Sequence, residues 1–279
     1  MSTVSQASLV LVDGVAENAL SVRDRGLSYG DGVFETMALQ NGAVLALGHH
    51  LHRFRRGAEV LGIQPFPENQ LLNDVARLAQ FDNGVIKLLL TRGDGGSGYM
   101  PVADSVPRRI ASASPWMEGP GLDSGRVCLC KTRLGRSPAL AGLKHLNRLE
   151  QVLASREIPD DSYLDGLMMD EEGHVIEGIK SNLFAVKGRE LLTPDLTMCG
   201  VRGVVRAAIL MLAADLGLKL TIKPLRLDDL FGSDELFLTN SLIGVRSVTS
   251  LVGDASCAWT QQETANRIRN VLVTQSVIP

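Results

Sequence analysis

Lys144 stands in an apolar stretch where a lysine side chain could do covalent chemistry. The surrounding run AGLKHLN places Leu143, Leu146 and Leu149 beside the lysine on one face of a predicted helix. Burial among such neighbours disfavours the charged ammonium form, and a neutral amine can attack a carbonyl carbon and later carry a proton. The alternative is a surface lysine whose aliphatic stem covers apolar neighbours while its charge stays in water.

Glu177 closes a short apolar strand in the run VIEGIKSNLF. A carboxylate in that position could pair with a protonated nitrogen of an aromatic ring, and the pairing would make the ring a better acceptor of electrons. The alternative is a solvated strand end, which the sequence does not exclude.

Two further stretches have the composition of an anion site. In the run MCGVRGVV, Gly200 precedes a predicted helix whose first backbone N–H groups and dipole suit a phosphate. The tripeptide TNS at residues 239–241 follows a predicted strand and could add amide and hydroxyl donors. A plain helix start and a plain turn remain the alternatives.

The elements that carry these residues follow from turn signals and hydrophobic periodicity. Hairpins are predicted around Asp13-Gly14 and Asn41-Gly42, and helices over residues 49–61 and 68–80. With strands over 85–91 and 108–114, they make a first domain of residues 1–113.

A stretch rich in proline and glycine, residues 114–124, predicts a linker, and residues 125–279 make the second domain. It has predicted helices over 143–156 and 201–216 and strands over 166–169, 175–177 and 183–186. The pattern predicts two α+β domains, with Lys144 in the second.

Composition sets limits on the class of protein. The 279 residues are 45% hydrophobic and 21% charged with a net charge of −3, which is typical of a soluble globular protein and excludes an obvious basic surface for nucleic acid or membranes. The first residues lack a basic, apolar leader, and no stretch approaches the roughly 18 apolar residues of a spanning helix. These features predict a cytoplasmic enzyme.

The block VRDRGLSYGDGVFET at residues 22–36 is similar to the DRGxxYGDGxFE block of the fold-type IV pyridoxal-phosphate enzymes, the class IV aminotransferase family. The run HLHRF at 50–54 is similar to the family's helix with a phosphate-binding arginine. The resemblance covers nearly the whole chain. It implies a two-domain α+β fold like that of D-amino-acid aminotransferase, with pyridoxal 5'-phosphate in the interdomain cleft.

The resemblance also implies roles for single residues. Lys144 matches the lysine that binds the coenzyme's aldehyde, and Glu177 matches the acid at its ring nitrogen. The implied cofactor-binding set comprises Lys144, Arg53, Glu177, Asn182, the backbone amides of Val201 and Arg202, and Asn240.

Two stretches resemble one subgroup, the aminodeoxychorismate lyases. Residues 133–152, RLGRSPALAGLKHLNRLEQV, are very similar to the subgroup's signature around its lysine, and residues 91–99, TRGDGGSGY, are similar to its RGxGxRGY loop. Ser97 departs from that loop, because relatives often have arginine there. If that arginine holds a substrate carboxylate, Arg92 or Arg109 could replace it, although both could equally be structural strand-end arginines.

The subgroup implies the elimination of pyruvate from 4-amino-4-deoxychorismate to give 4-aminobenzoate, a step of folate biosynthesis. Lys144 would move the proton, Thr36 would reach the ether or the lysine, and Tyr29 would contact the substrate. The family also implies a homodimer.

Two alternatives remain open from the sequence. A branched-chain or D-amino-acid aminotransferase would keep Lys144, Glu177 and Arg53, and a binding protein could keep the fold without the cofactor. The histidines at 49, 50 and 52 have no carboxylate or cysteine within the next turn, so no metal site is predicted.

Overall fold

A computed structural model describes residues 9–115, 123–253 and 256–279, which fold as two compact units. The first unit contains residues 9–115 together with Lys144–Asn147, and the second contains the remaining described residues. The predicted linker, 114–124, lies mostly outside the described residues. Its first two residues end one strand and its last residue begins another.

The first unit is a six-stranded antiparallel sheet with helices. Its elements are β1 (Leu9–Val12), β2 (Val15–Ala16), α1 (Arg25–Tyr29), β3 (Gly32–Gln40), β4 (Ala43–Val44), α2 (Leu47–Val60), α3 (Glu68–Leu78), β5 (Gly84–Thr91) and β6 (Arg108–Pro115). The strand order is β2-β1-β6-β5-β3-β4. Apolar residues of α2 and α3 share one buried core with residues of β1, β3, β5 and β6.

Both predicted hairpin turns are confirmed. Asp13 and Gly14 connect β1 to β2, and Asn41 and Gly42 connect β3 to β4. All four residues have positive φ angles, between 50° and 86°. Such angles match the twist of paired strands, and asparagine, aspartate and glycine adopt them at low cost.

The second unit contains a nine-stranded mixed sheet. Its elements are β7 (Ser124–Leu134), α4 (Leu149–Ser155), β8 (Tyr163–Asp170), β9 (Val175–Gly178), β10 (Asn182–Lys187), β11 (Glu190–Pro194), α5 (Val204–Leu212), β12 (Lys219–Lys223), α6 (Leu227–Phe231), β13 (Glu235–Asn240), β14 (Gly244–Val252), β15 (Cys257–Ala258) and α7 (Glu263–Thr274). The order is β12-β11-β10-β13-β14-β7-β8-β9, with β15 beside β14. The β11–β12, β14–β7 and β7–β8 pairs are parallel.

The central strands of this sheet are buried on both faces. Five of the six residues in β10 and in β13 are buried, and the rings of Phe184 and Phe237 stack with centroids 5.2 Å apart. Strands of this kind are continuous apolar runs rather than alternating ones.

The predicted helix over 143–156 is wrong in its first half. Residues 144–147 pair with β3, where the Phe34 N–H donates to the Lys144 carbonyl (2.9 Å) and the Leu146 N–H donates to the Gly32 carbonyl (3.0 Å). Helix α4 begins only at Leu149. Lys144 therefore belongs to the first unit, whereas the sequence had placed it in the second domain.

The predicted helix over 201–216 is also shorter in the structure. The Gly142 N–H donates to the Gly200 carbonyl (2.8 Å), and the Arg202 N–H donates to the Gly142 carbonyl (3.1 Å). These bonds keep Val201 and Arg202 out of the helix, so α5 begins at Val204.

Among the described residues, no helix is both long and apolar enough to cross a lipid bilayer.

Candidate active site

Strand β3 presents two sets of side chains. Val33, Glu35 and Met37 are buried, while Phe34 and Thr36 between them are half-buried. Alternate residues of a strand point to opposite faces of its sheet. Glu35 therefore points toward the helix-covered core, and Phe34 and Thr36 toward the other face.

Glu35 joins β3 to α2 through two basic side chains. Its carboxylate accepts hydrogen bonds from Arg53 Nε (2.7 Å) and Nη2 (2.6 Å) and from His50 Nδ1 (2.6 Å). Burial alone would raise the pKa of Glu35, but the Arg53 and His50 contacts outweigh it and lower the pKa to about 2. Burial also lowers the pKa of His50, so the imidazole is neutral near pH 7 and donates its Nδ1 proton.

This contact fixes the orientation of Arg53. A bidentate pair between a guanidinium and a carboxylate holds the guanidinium plane in one direction. The Arg53 side chain keeps 15% of its surface exposed, so part of it faces outward. The sequence did not single out Glu35 or the role of His50, since nothing in the motif shows that the two side chains meet.

Lys144 is held at the edge of β3 by its own backbone. Besides the two hydrogen bonds already described, Val33 and His145 form an isolated antiparallel bridge. The Lys144 ammonium nitrogen lies 4.1 Å from the centroid of the Phe34 ring, which is cation–π contact. The extended segment and the ring together define where this amine lies.

Lys87, which the sequence did not single out, approaches the same ring. It lies directly opposite Thr36 on the neighbouring strand β5, and its ammonium nitrogen is 5.7 Å from the Phe34 centroid. The first unit therefore has a cluster of two lysines, a threonine and an aromatic ring, namely Lys87, Lys144, Thr36 and Phe34. The signal in the sequence was a lysine inside an otherwise apolar strand, VIKLLLT.

In the second unit, Glu177 is the penultimate residue of β9 and is buried. Its Oε2 atom accepts a hydrogen bond from the Val201 N–H (2.8 Å) and a longer one from Asn182 Nδ2 (3.4 Å). The Arg148 charge is close enough to interact with it. Asn182 Nδ2 also donates to the Val201 carbonyl (2.8 Å), so Glu177, Asn182 and Val201 hold one another in place.

The start of α5 has hydrogen-bond donors that lack acceptors. Among the described residues, the backbone N–H groups of Gly203, Val204 and Val205 have no acceptor, as expected for the first turn of a helix. The buried Thr239 hydroxyl also has no partner within the described part of the chain. Thr239 pairs with Asn182 across the β10–β13 ladder, and Asn182 lies against Gly203. Donors without acceptors suit an anion.

A family model for amino-transferase class IV matches residues 32–251 of the chain. The chain belongs to the class IV aminotransferase family.

Relatives within the family are named for two kinds of activity, a lyase and an aminotransferase activity. An aminodeoxychorismate lyase from Vibrio harveyi is 35% identical over 249 residues, which cover 86% of this chain and 90% of that protein. A putative branched-chain-amino-acid aminotransferase from Methanocaldococcus jannaschii is 31% identical and covers 84% of this chain and 83% of its own. The crystal structure of 4-amino-4-deoxychorismate lyase from Pseudomonas aeruginosa is 42% identical, covers 97% of this chain and 100% of its own, and has a TM-score of 0.89.

The α+β fold with two sheets is the one that family membership implies, so the predicted fold class is confirmed. The site residues predicted from the family's motifs fall into two groups. Lys144, Arg53, Thr36 and Tyr29 lie in the first unit, and Glu177, Asn182, Val201, Arg202 and Asn240 lie in the second.

Two of the predicted phosphate contacts are engaged elsewhere in this structure. The single amide protons of Val201 and Arg202 go to Glu177 and to the Gly142 carbonyl. Their role at a phosphate remains a prediction, and the amides of residues 203–205 are the available donors. Asn240 shapes its own turn, with Nδ2 donating to the Lys180 carbonyl (3.0 Å) and Oδ1 accepting from Leu242 and Ile243 (both 2.8 Å).

The contacts of Arg92 and Arg109 favour the structural alternative. Arg92 donates to both carboxylate oxygens of Asp31 and to the carbonyls of Leu61 and Gly62, which uses most of its protons. Arg109 is buried, and it pairs with Asp74 and donates to Gln70 Oε1 (3.0 Å).

Tyr29, at the end of α1, is 41% exposed and lies near Tyr99, with ring centroids 5.5 Å apart. The Arg25 guanidinium lies over the Tyr29 ring at 4.8 Å. The phenol group is thus accessible, as a substrate contact requires.

Proposed function

We propose that this chain is a pyridoxal-phosphate-dependent 4-amino-4-deoxychorismate lyase, which produces 4-aminobenzoate and pyruvate. The observation that carries the proposal is the position of Lys144. Its backbone is bonded to β3 and its amine lies against Phe34, beside Thr36 and Lys87. The similarity to the Vibrio and Pseudomonas lyases, which extends over most of the chain, supports it.

The donor set of the protein fits the coenzyme. Pyridoxal phosphate presents an aldehyde, a ring nitrogen and a phosphate, and the chain offers a positioned amine, a buried carboxylate and a group of donors without acceptors. When bound, the coenzyme supplies an acceptor for the electrons that are released when a proton leaves the substrate carbon bearing the amine.

Glu177 would hold a proton at the ring nitrogen. Because the Val201 N–H and Asn182 orient its carboxylate, the acid is already aimed before the coenzyme binds. Groups positioned in this way need no reorganisation during the reaction.

The donors at the start of α5, the Thr239 hydroxyl and Arg53 would bind the phosphate. Arg53 contributes a guanidinium whose direction Glu35 fixes, so little further ordering is needed.

Lys144 would bind the coenzyme covalently and, once displaced by the substrate amine, remove the proton from the adjacent carbon with its Nζ atom. General acid–base work of this kind typically contributes about 100- to 10,000-fold in rate. The same amine can return a proton as the enolpyruvyl ether bond breaks. Thr36, on the same face of β3 as Phe34, is our candidate for orienting that ether. The product ring becomes aromatic, which makes the elimination favourable.

Lys87 is our candidate for a substrate carboxylate. Ser97 lacks the charge that lyase relatives often have at its position. Arg92 and Arg109 already donate hydrogen bonds within the protein, which leaves them few protons for a substrate carboxylate. Lys87 lies on the same sheet face as Thr36 and contacts the ring that Lys144 contacts, so it presents a charge where the substrate is expected. Tyr29 is a second proposed substrate contact.

We further propose that the chain works as a cytoplasmic homodimer in folate biosynthesis. Support comes from the family resemblance, and exposed apolar residues on α1 and on the loop before β6, such as Leu27, Tyr99 and Met100, are consistent with a covered surface.

A branched-chain aminotransferase is the second candidate, favoured by the similarity to the Methanocaldococcus protein. An assay of products separates the two. Supplied with enzymatically prepared 4-amino-4-deoxychorismate, the purified protein should release 4-aminobenzoate and pyruvate in equal amounts. If it instead only exchanges amino groups between branched-chain amino acids and 2-oxoglutarate, the lyase proposal is wrong.

A further inference from the structure

Asp165 is a buried carboxyl group to which the proposed reaction assigns no role. It lies on β8 with none of its surface exposed. Its Oδ1 atom accepts a hydrogen bond from the Gly166 N–H (2.9 Å), and its Oδ2 atom accepts from the Ser181 hydroxyl (2.7 Å) and the Lys180 N–H (3.3 Å). Asp165 therefore bonds directly to the turn that follows Glu177.

This turn, residues 178–181, is packed tightly against the carboxyl group. The Gly178 N–H donates to the Ser181 carbonyl (2.7 Å) and closes the turn. A methyl group on Gly178 would lie 2.3 Å from Ser181 Oγ and 2.6 Å from Asp165 Oδ2. The position of Asp165 therefore constrains the position of the turn.

Both ends of the turn carry proposed site residues. Glu177 comes immediately before it and Asn182 immediately after it, and the two side chains are bonded to each other and to Val201. From the middle of the turn, the Lys180 carbonyl accepts a hydrogen bond from Asn240. A displacement of the turn would therefore move Glu177, Asn182 and Asn240 together.

We propose that Asp165 is a positioning residue that aims the Glu177 carboxylate at the coenzyme's ring nitrogen, through Ser181 and the Lys180 amide. The inference rests on the proposed function, because it is the proposed function that gives Glu177 its role at the ring nitrogen. In this proposal Asp165 acts through the turn and not by direct contact with substrate or coenzyme.

Several titratable and charged groups of the second unit interact with Asp165 or Glu177. Burial raises the pKa of Asp165, while the Ser181 hydrogen bond and the Lys180 charge act against burial. The thiols of Cys128 and Cys130 on β7 also interact with Asp165. Arg148 and Arg206 both interact electrostatically with Glu177, and the Cys199 thiol does so as well.

Asp165→Asn tests the proposal with little change in volume. An amide has one acceptor oxygen, so either the Gly166 N–H or the Ser181 and Lys180 donors would face an NH₂ group. Ser181→Ala removes one of those donors alone and provides a second, milder variant.

Asp170→Asn is a matched control on the same strand. Asp170 is also buried, and its Oδ1 atom accepts from the Glu172 N–H (3.0 Å) and the His174 N–H (2.8 Å). The substitution disturbs a different turn by the same chemistry.

The readout is a pH titration of the visible absorption band of the coenzyme linked to Lys144, with the protein purified in pyridoxal phosphate. Losing the ring-nitrogen proton removes a positive charge near the linking nitrogen, which then keeps its own proton to higher pH. We expect the titration midpoint of Asp165→Asn to rise by about 0.5 pH unit or more. Ser181→Ala should shift it in the same direction by less, and Glu177→Gln by more.

Asp170→Asn should leave the midpoint at the wild-type value. If Asp165→Asn and Ser181→Ala titrate like the wild type, or if Asp170→Asn shifts as far as they do, Asp165 has no positioning role. Should Asp165→Asn fail to fold, Ser181→Ala decides by the same criterion. A wild-type protein that binds no coenzyme contradicts the proposed function itself, whereas an intact wild-type band with unchanged variants contradicts only this inference.

Discussion

The Phe34 ring has two lysines as neighbours, and their proposed tasks differ. Lys144 comes from a segment bonded to β3, while Lys87 comes from the adjacent strand β5. In our account the first makes the covalent bond to the coenzyme and the second binds a substrate carboxylate. Substitution can separate these tasks, because replacing Lys87 should weaken substrate binding and leave the coenzyme in place.

We predict that Lys87→Met raises the KM for 4-amino-4-deoxychorismate at least ~10-fold, because a lost ion pair of about 1.4 kcal/mol or more corresponds to that factor. The absorbance of the bound coenzyme should stay unchanged. Steady-state kinetics and an absorption spectrum provide the measurements. Lys219→Met, which removes an exposed lysine of β12, is the control and should leave KM unaltered.

For single residues, the sequence was informative where the chemistry depends on residue type and local spacing. Lys144 and Glu177 stood out for that reason. Lys87 and Glu35 did not, because their significance comes from the pairing of β3 with β5 and from the packing of α2 on β3. The donors at residues 203–205 were missed because the sequence did not show that Gly142 would bond to Arg202.

Between elements, the contact of Glu35 with Arg53 and His50 ties α2 to β3, and its strength should depend on pH. The pKa of Glu35 is lowered from 4.5 to about 2, so the contact stabilises the fold above pH 4.5 and is lost as the pH falls toward 2. Below pH 4.5 the unfolded chain takes up the proton before the folded one does.

We predict that Glu35→Gln lowers the free energy of unfolding at pH 7 by on the order of 3 kcal/mol, and that the difference from wild type shrinks between pH 4.5 and pH 3. Urea unfolding at several pH values measures it. Glu59→Gln, at an exposed position of α2, should match the wild type throughout. A difference that stays constant with pH would contradict the assigned cause.

The residue that precedes α5, Gly203, has no room for a side chain. A methyl group on Gly203 would lie 1.9 Å from Asn182 Oδ1, so alanine there must displace Asn182 or the first turn of the helix. We predict that Gly203→Ala weakens coenzyme binding at least ~10-fold. Equilibrium titration of the protein with pyridoxal phosphate is the measurement.

Gly48→Ala is the control for that substitution. Gly48 lies in α2 with no atom within 4 Å of an added methyl group. Alanine should therefore leave coenzyme binding unchanged and raise stability by about 0.5–1 kcal/mol.

Elements were predictable from sequence where a local signal determines them. The Asp-Gly and Asn-Gly hairpins and the amphipathic helices α2 and α3 are examples. The first half of the predicted helix over 143–156 is wrong. The apolar spacing around Lys144 is compatible with a helix or with an extended segment, and backbone pairing with β3 selects the extended segment. Strand β14 was not predicted; it pairs with β13 just before it and with β7, which is distant in the sequence.

For the molecule as a whole, we predict a homodimer. Exposed Leu27, Tyr99 and Met100 would then become buried. Light scattering at micromolar concentration should give twice the mass of one chain, and Leu27→Glu should lower it. A monomer at all concentrations in the presence of the coenzyme would contradict the prediction.

The proposed function depends on a covalent bond between the amine of Lys144 and the coenzyme, and borohydride reduction followed by peptide mass mapping detects that bond. We expect loss of the visible band and a pyridoxyl-phosphate mass addition at Lys144, absent in Lys144→Ala. An addition at Lys87 or Lys180 instead, or no addition in a protein that still turns over substrate, would contradict it.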